Sequence, residues 1–190
     1  MDRKTIVESL TKNLSGIFVE IGTDKGEFAD FLLSNTKCEK LYCIDPYIKY
    51  SEYFDTINQY TNTELFLYVR NKLKIKHNKR FELIRDFSNN ASRYLPDNID
   101  FLYIDGNHSY KYVLEDLQYW YPKVKNGGII MGDDVIDIVN DDERNTDGNI
   151  YKKWSECCDG YYGVYKALID FCLENDIEYI IQGTQFIIIK

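Results

Sequence analysis

The chain alternates between two periods. Residues 17–21, Ile-Phe-Val-Glu-Ile, form a short apolar run closed by Gly22, the pattern of a buried strand. Residues 25–34 follow with Phe28, Phe31 and Leu32 at helical spacing. Further short apolar runs predict strands at 41–44, 81–84, 101–104 and 129–131. Between them the spacing predicts helices near 50–60, at 64–76 with Leu65, Val69 and Leu73 on one face, and at 88–94. Another starts at Ser109, the expected N-cap, and carries Val113, Leu117, Trp120 and Tyr121 to a stop at Pro122. Asn126-Gly127-Gly128 reads as a turn into the fifth strand. A last helix spans 164–174, and 178–181 with 185–189 flank Gly183-Thr184 as an antiparallel hairpin.

Five strand–helix units in succession predict an α/β domain: a doubly wound, mostly parallel sheet with helices on both faces. The hairpin brings the expected strand count to seven and adds one antiparallel strand. No repeat, linker or low-complexity segment interrupts the pattern, so residues 1–190 are expected to form a single domain. The polar stretch 137–159 reads as a long loop over a fixed scaffold.

Composition narrows the classes. The 190 residues are 44% apolar and 28% charged, a globular balance. With 23 basic against 31 acidic residues the formal charge is −8, which argues against a binder of the nucleic-acid backbone. No apolar stretch approaches the ~20 residues of a membrane span, and residues 1–10 lack the apolar run of a secretory signal. The cysteines, Cys38, Cys43, Cys157, Cys158 and Cys172, are odd in number and include no C-x-x-C pair. A reducing, cytoplasmic compartment is therefore expected, without a zinc knuckle or disulfide framework.

In an open α/β sheet, ligands bind beyond the carboxyl ends of the strands. Four of these ends carry acids: Glu20 before Gly22, then Asp45, Asp105, and Asp133 with Asp134. A single acid in such a place commonly caps a helix or closes a turn; four on one rim point to a ligand site. In the first turn, Glu20-Ile21-Gly22-Thr23-Asp24-Lys25-Gly26, Gly22 permits a sharp bend and Gly26 a close helix approach. The spacing is not that of a pyrophosphate-binding G-x-G-x-x-G loop, and the acids suit a positively charged ligand. Asp45, 19 residues past Gly26, stands where an acid accepts hydrogen bonds from two ribose hydroxyls. That distance fits a nicotinamide cofactor and S-adenosylmethionine alike. The acidic loop favours the second, with its sulfonium and ammonium groups.

The E-x-G-x-x-x-G loop, the acid ending strand two and Asp86-Phe87-Ser88 after strand three resemble class I S-adenosylmethionine-dependent methyltransferases, which have a Rossmann-like fold. The stretch Asp105-Gly106-Asn107-His108-Ser109-Tyr110, followed by Gly127-Gly128 and Gly132-Asp133-Asp134, is similar to the branch that contains macrocin O-methyltransferase and related sugar O-methyltransferases. The likeness runs from about residue 17 to residue 190, with Asp24 where many members have glycine.

The resemblance implies that Glu20, Gly22, Thr23, Asp24, Gly26, Asp45, Phe87, Ser88 and Asp105 surround S-adenosylmethionine. It also implies a divalent cation on Asp105, Asp133 and Asp134. Charge agrees, because three converging carboxylates repel one another unless protonated or neutralised. Hard oxygen ligands select Mg²⁺, Mn²⁺ or Ca²⁺ over zinc. The alternative is that Asp133 and Asp134 cap a loop. His108 stands where the similar catechol-type enzymes carry a proton-accepting lysine, so His108, or in its place Asp105, is the expected base. The alternative there is an imidazole bound to backbone at the helix start.

Tyr151, Trp154, Tyr161, Tyr162 and Tyr165 cluster in and after the long loop, where rings pack on sugars or phenols or pin the loop to the core. The implied reaction is transfer of a methyl group from sulfonium to a hydroxyl of a sugar or glycan, with a divalent cation as Lewis acid. The expected partners are that small-molecule or glycan substrate and a second copy in a homodimer, with neither nucleic acid nor membrane. Three other readings share parts of the pattern. A metal-dependent methyltransferase of phenols or catechols has the same site. A nicotinamide oxidoreductase is disfavoured by the first loop. A non-catalytic partner subunit of the same fold is disfavoured by the full set of acids.

Overall fold

The computed structural model describes residues 2–53, 57–135 and 163–190. Its strands are β1 (Ser15–Ile21), β2 (Lys37–Ile44), β3 (Phe81–Ile84), β4 (Ile99–Ile104), β5 (Val124–Gly132), β6 (Ile180–Gln182) and β7 (Gln185–Ile189). They form one sheet in the order β3-β2-β1-β4-β5-β7-β6. β1 to β5 run parallel, β7 pairs antiparallel with β5, and β6 pairs antiparallel with β7. This is the α/β class, strand number and hairpin that the periodicity predicts.

The helices are α1 (Arg3–Thr11), α2 (Glu27–Asn35), α3 (Ile57–Tyr60), α4 (Thr63–His77), α5 (Ser88–Ala91), α6 (Tyr110–Trp120) and α7 (Val164–Asn175). They divide between the two faces of the sheet. Phe18, Leu41, Phe101, Tyr103 and Met131 share a core with Val7, Leu32, Val69 and Leu73 of α1, α2 and α4. Val19, Ile21, Leu102, Ile104 and Ile130 share the other with Ala91, Leu117, Trp120 and Leu168 of α5, α6 and α7. Adjacent strand residues such as Phe18 and Val19 therefore serve opposite layers, as the pleat requires. Every residue of the central β4 is buried, which is why it reads as an unbroken apolar run.

Four local expectations change. Residues 3–11, read from sequence as a polar start, form α1: Asp2 Oδ1 accepts from the amides of Lys4 and Thr5, and Ile6 and Val7 are buried. Of the helix expected over 50–60, only Ile57–Tyr60 is helical among the described residues. Asn58 instead ties down the preceding backbone, bonding Tyr50 N, Tyr50 O and Tyr53 O at 2.8–3.1 Å. Asn126-Gly127-Gly128 lies inside β5, beside a register shift against β4, rather than turning into it. Ser109 is the N-cap of α6 but makes no side-chain cap bond; its hydroxyl donates to Asn107 Oδ1 at 2.8 Å. The stretch 137–159 and the rings of Tyr151, Trp154, Tyr161 and Tyr162 lie outside the described residues. Tyr165 packs, half-buried, against the α6–α7 core. No described helix is long and apolar enough to cross a membrane.

Candidate active site

The strand order reverses direction between β1 and β4, and a cleft lies at the carboxyl ends of these strands. It is a shallow cleft open to solvent, with about 70 Å³ of enclosed space. Gly22, Asp24, Asp45, Phe87, Ser88 and Asp105 line it. Glu20, Thr23 and Gly26, predicted to touch the same ligand, stand behind this surface and shape it.

The first loop is built from those supporting residues. Gly22 sits at φ +86°, and a Cβ there would strike the backbone carbonyl of Asp105. Gly26 sits at φ +68°, with room for a Cβ only 2.7 Å from Val69 Cγ1. Asp45 fastens the loop to β2: Oδ2 accepts from the amides of Thr23 at 3.2 Å and Asp24 at 3.0 Å, and Oδ1 from Tyr47 N at 2.8 Å. Burial holds the Asp45 carboxyl above its ordinary pKa despite these donors. Asp24 Oδ1 is buried with no hydrogen-bond partner among the described residues, an acceptor left over on the cleft wall.

Glu20 takes the other side of β1. Its Oε2 accepts from Thr23 Oγ1 at 2.8 Å, and the side chain is 1% exposed. Burial, with the charges of Asp105 and Asp45 nearby, pushes its carboxyl up to about 8. It does not line the cleft, because strand alternation points it away from Ile21, which does.

The far end of the cleft is aromatic. The Tyr50 ring stacks on Tyr53 at 5.3 Å and meets Phe87 edge-on at 5.3 Å, and Asn107 Nδ2 donates to the Tyr50 hydroxyl at 3.2 Å. Beside it the Ser88 hydroxyl donates to Asp116 of α6, a buried acid that burial pushes up to about 7. The sequence reading passed over Asp116, which sits mid-helix where a charge ordinarily faces solvent.

A second cluster adjoins the cleft at Asp105. His108 Nε2 lies 3.5 Å from Asp105 Oδ1 and 3.2 Å from Asp134 Oδ2. Asp105, His108 and Asp134 each offer a ligand atom within 4.8 Å of the others. Two carboxylates and an imidazole so placed fit a divalent cation. Asp133, expected in that set, is not part of it. Its Oδ1 accepts from Thr184 Oγ1, Gln185 Nε2 and Asp134 N; its Oδ2 accepts from Tyr103 OH at 3.2 Å and Arg3 Nη1 at 3.0 Å. Burial opposes ionisation here, but the Asp134 amide, the Thr184 hydroxyl and the Arg3 charge together hold the carboxyl below its ordinary pKa.

Arg3 is the residue that sequence reasoning missed. From α1 its Nη1 reaches Asp105 Oδ2 at 2.9 Å as well as Asp133 Oδ2, and its guanidinium lies 4.9 Å over the Phe28 ring. Burial works against its charge, yet Tyr103, Asp105 and Asp133 hold its pKa above the ordinary value. Three acids on one rim do demand positive charge. No local signal says that a helix 102 residues upstream of Asp105 supplies it.

Comparison with known proteins agrees with this fold. Residues 19–135 match a family described as methyltransferase domain, a span that holds the cleft, His108, Asp133 and Asp134 but not Arg3. An uncharacterised protein of Acanthamoeba polyphaga mimivirus is 31% identical over 126 residues, 63% of this chain and 52% of that one. The chain thus spans about half the length of this curated relative. Among solved structures, a Streptococcus mutans protein ascribed methyltransferase activity, in complex with SAH, superposes with a TM-score of 0.62 at 14% identity, covering 99% of this chain and 97% of that one. The O-methyltransferase NovP gives 0.68 at 14%, covering 99% and 79%. A Staphylococcus aureus protein ascribed caffeoyl-CoA O-methyltransferase activity gives 0.67 at 15%, covering 99% and 83%. At these identities the likeness is one of fold.

Proposed function

The chain belongs to the methyltransferase domain family, and on that premise we propose that it is an O-methyltransferase that uses S-adenosylmethionine to methylate a hydroxyl of a sugar or glycan, with a divalent cation. One observation carries the reading: Asp105 lines the cleft and also faces His108, so a donor in the cleft and an acceptor at the rim meet at one residue.

The donor is already activated, so the chain's task is alignment and proton removal. Asp24, Asp45 and Asp105 give the cleft the negative charge that a sulfonium and an ammonium seek. Asp45 ends β2 at the ribose position, and Tyr50 and Phe87 offer faces and edges to a flat base. In the transfer the acceptor oxygen forms a bond to the methyl carbon as the carbon–sulfur bond breaks. The sulfonium leaves as a neutral thioether, and the hydroxyl proton passes to the His108 imidazole. Asp134 and Asp105 hold that imidazole in place. A divalent cation such as Mg²⁺ or Mn²⁺, held by Asp105 and Asp134, would supply Lewis acidity that lowers the pKa of the hydroxyl. The sugar class rests on the likeness carried by Asp105 to Tyr110 and by Gly132-Asp133-Asp134.

The test is transfer from methyl-labelled donor to a panel of free sugars, glycans and catechols, with EDTA and then with Mg²⁺ or Mn²⁺ restored. Transfer to sugar hydroxyls that stops in EDTA and returns with the cation supports the reading. Transfer confined to catechols overturns the acceptor class, and full activity in excess EDTA removes the cation.

A further inference from the structure

Arg3 divides the acids of the rim. One nitrogen, Nη1, holds Oδ2 of both Asp105 and Asp133 at 2.9 and 3.0 Å. Asp105 is thereby left with Oδ1 turned toward His108, and on to Asp134 beyond it. Asp133 is left with both oxygens engaged, its donors besides Arg3 being Tyr103 of β4, Asp134 just past β5, Thr184 in the β6–β7 turn and Gln185 of β7. The guanidinium is anchored over Phe28 of α2 and its side chain is 37% exposed, so it is a fixed charge at the border of the site.

We propose that Arg3 is a positioning residue that acts as a resident counter-ion: it withdraws Asp133 from cation binding, orients Asp105 toward His108 and Asp134, and opposes by its charge any divalent cation bound there. The proposal rests on the cation reading given under Proposed function. A fixed positive charge beside Asp105 must weaken a second cation on the same carboxylate. Asp133 becomes a candidate ligand only when Arg3 is gone, because Arg3 neutralises it. The arrangement sets affinity: the site binds its cation loosely, and α1, outside the family-matched span, does the setting.

The experiment titrates Mn²⁺ into the full chain and follows binding by the loss of free-ion paramagnetic resonance signal. Arg3→Met should bind Mn²⁺ at least tenfold more tightly than the unaltered protein, a gain that a damaged fold does not produce. Arg3→Lys, which keeps the charge, should stay within about threefold of it. Arg3→Gln serves as the uncharged variant if the methionine protein fails to fold. Asp133→Asn should cost much more affinity in the Arg3→Met background than alone, the non-additivity expected of coupled residues. Unchanged or weaker binding in both uncharged variants, with binding still lost in Asp134→Asn, overturns the proposal and leaves the cation reading intact. No Mn²⁺ binding in any variant overturns both.

Discussion

His108 Nε2 lies 3.2 Å from Asp134 Oδ2, joining the entry of α6 to the exit of β5. A carboxylate against the ring, with the cleft-lining Asp105 beside it, can hold an imidazole for proton transfer. His108→Ala should lower kcat by about 10²–10⁴, the range of a general base, and leave the dissociation constant for S-adenosylhomocysteine unchanged. Steady-state kinetics beside calorimetry decide it. A near-normal kcat returns the proton to Asp105.

Gly22 should tolerate no side chain. Its φ of +86° and the collision of a Cβ with the Asp105 carbonyl both count against alanine. Gly22→Ala should cost at least about 1–3 kcal/mol of stability, the price of a left-handed non-glycine residue before any clash. It should also displace Asp105, so binding in the cleft weakens too. Urea unfolding and ligand titration report the two losses separately.

Glu20 gives the protein a pH signature. Its folded carboxyl titrates at about 8 against an ordinary 4.5, so the folded state holds a proton that the unfolded chain has released. The stability that Glu20 contributes, on the order of a few kcal/mol for so buried a group, is therefore full below about pH 4.5 and is lost as pH rises toward 8. Asp116, at about 7, slopes the same way. Glu20→Gln should flatten the fall in part, being at least as stable as the native chain at about pH 8.5 and little different near pH 5. Unfolding curves across that range check it; an unaltered slope would contradict the buried neutral acid.

The sheet was legible because each central strand is buried on both faces, so Phe101 to Ile104 reads as an apolar run whatever surrounds it. The cleft was legible for a related reason: Gly22, Asp45 and Asp105 follow strands directly and Ser88 follows β3 within four residues, and strand ends are local features. α1 was not, because only Ile6 and Val7, with Leu10 beside them, carry its apolar face within a charged stretch. The fate of Asp133 was not either. It depends on Thr184 and Gln185, which reach it only because β7 pairs with β5, and on Arg3 from the opposite end of the chain. Neighbours in sequence state what an acid could do, and tertiary partners decide whether it is free to do it.

Ser88 and Asp116 should matter for the base of the ligand rather than for transfer. Asp116→Ala removes the acceptor of the Ser88 hydroxyl and opens space at the aromatic end of the cleft. Affinity for S-adenosylhomocysteine should fall by up to about tenfold, the worth of one hydrogen bond, while kcat at saturating donor changes little. A fall in kcat with unchanged affinity would place Asp116 on the acceptor side instead.

The central claim, a cleft built for S-adenosylmethionine, is tested most directly by calorimetric titration with S-adenosylhomocysteine, NAD as the comparison ligand and Asp45→Ala as the control. The account predicts one saturable site for S-adenosylhomocysteine, a stabilisation of roughly 2.7 kcal/mol at a hundredfold excess over Kd, and a sharp loss of both in Asp45→Ala, whose carboxylate fastens the first loop. Saturable binding of NAD with none of S-adenosylhomocysteine would contradict it.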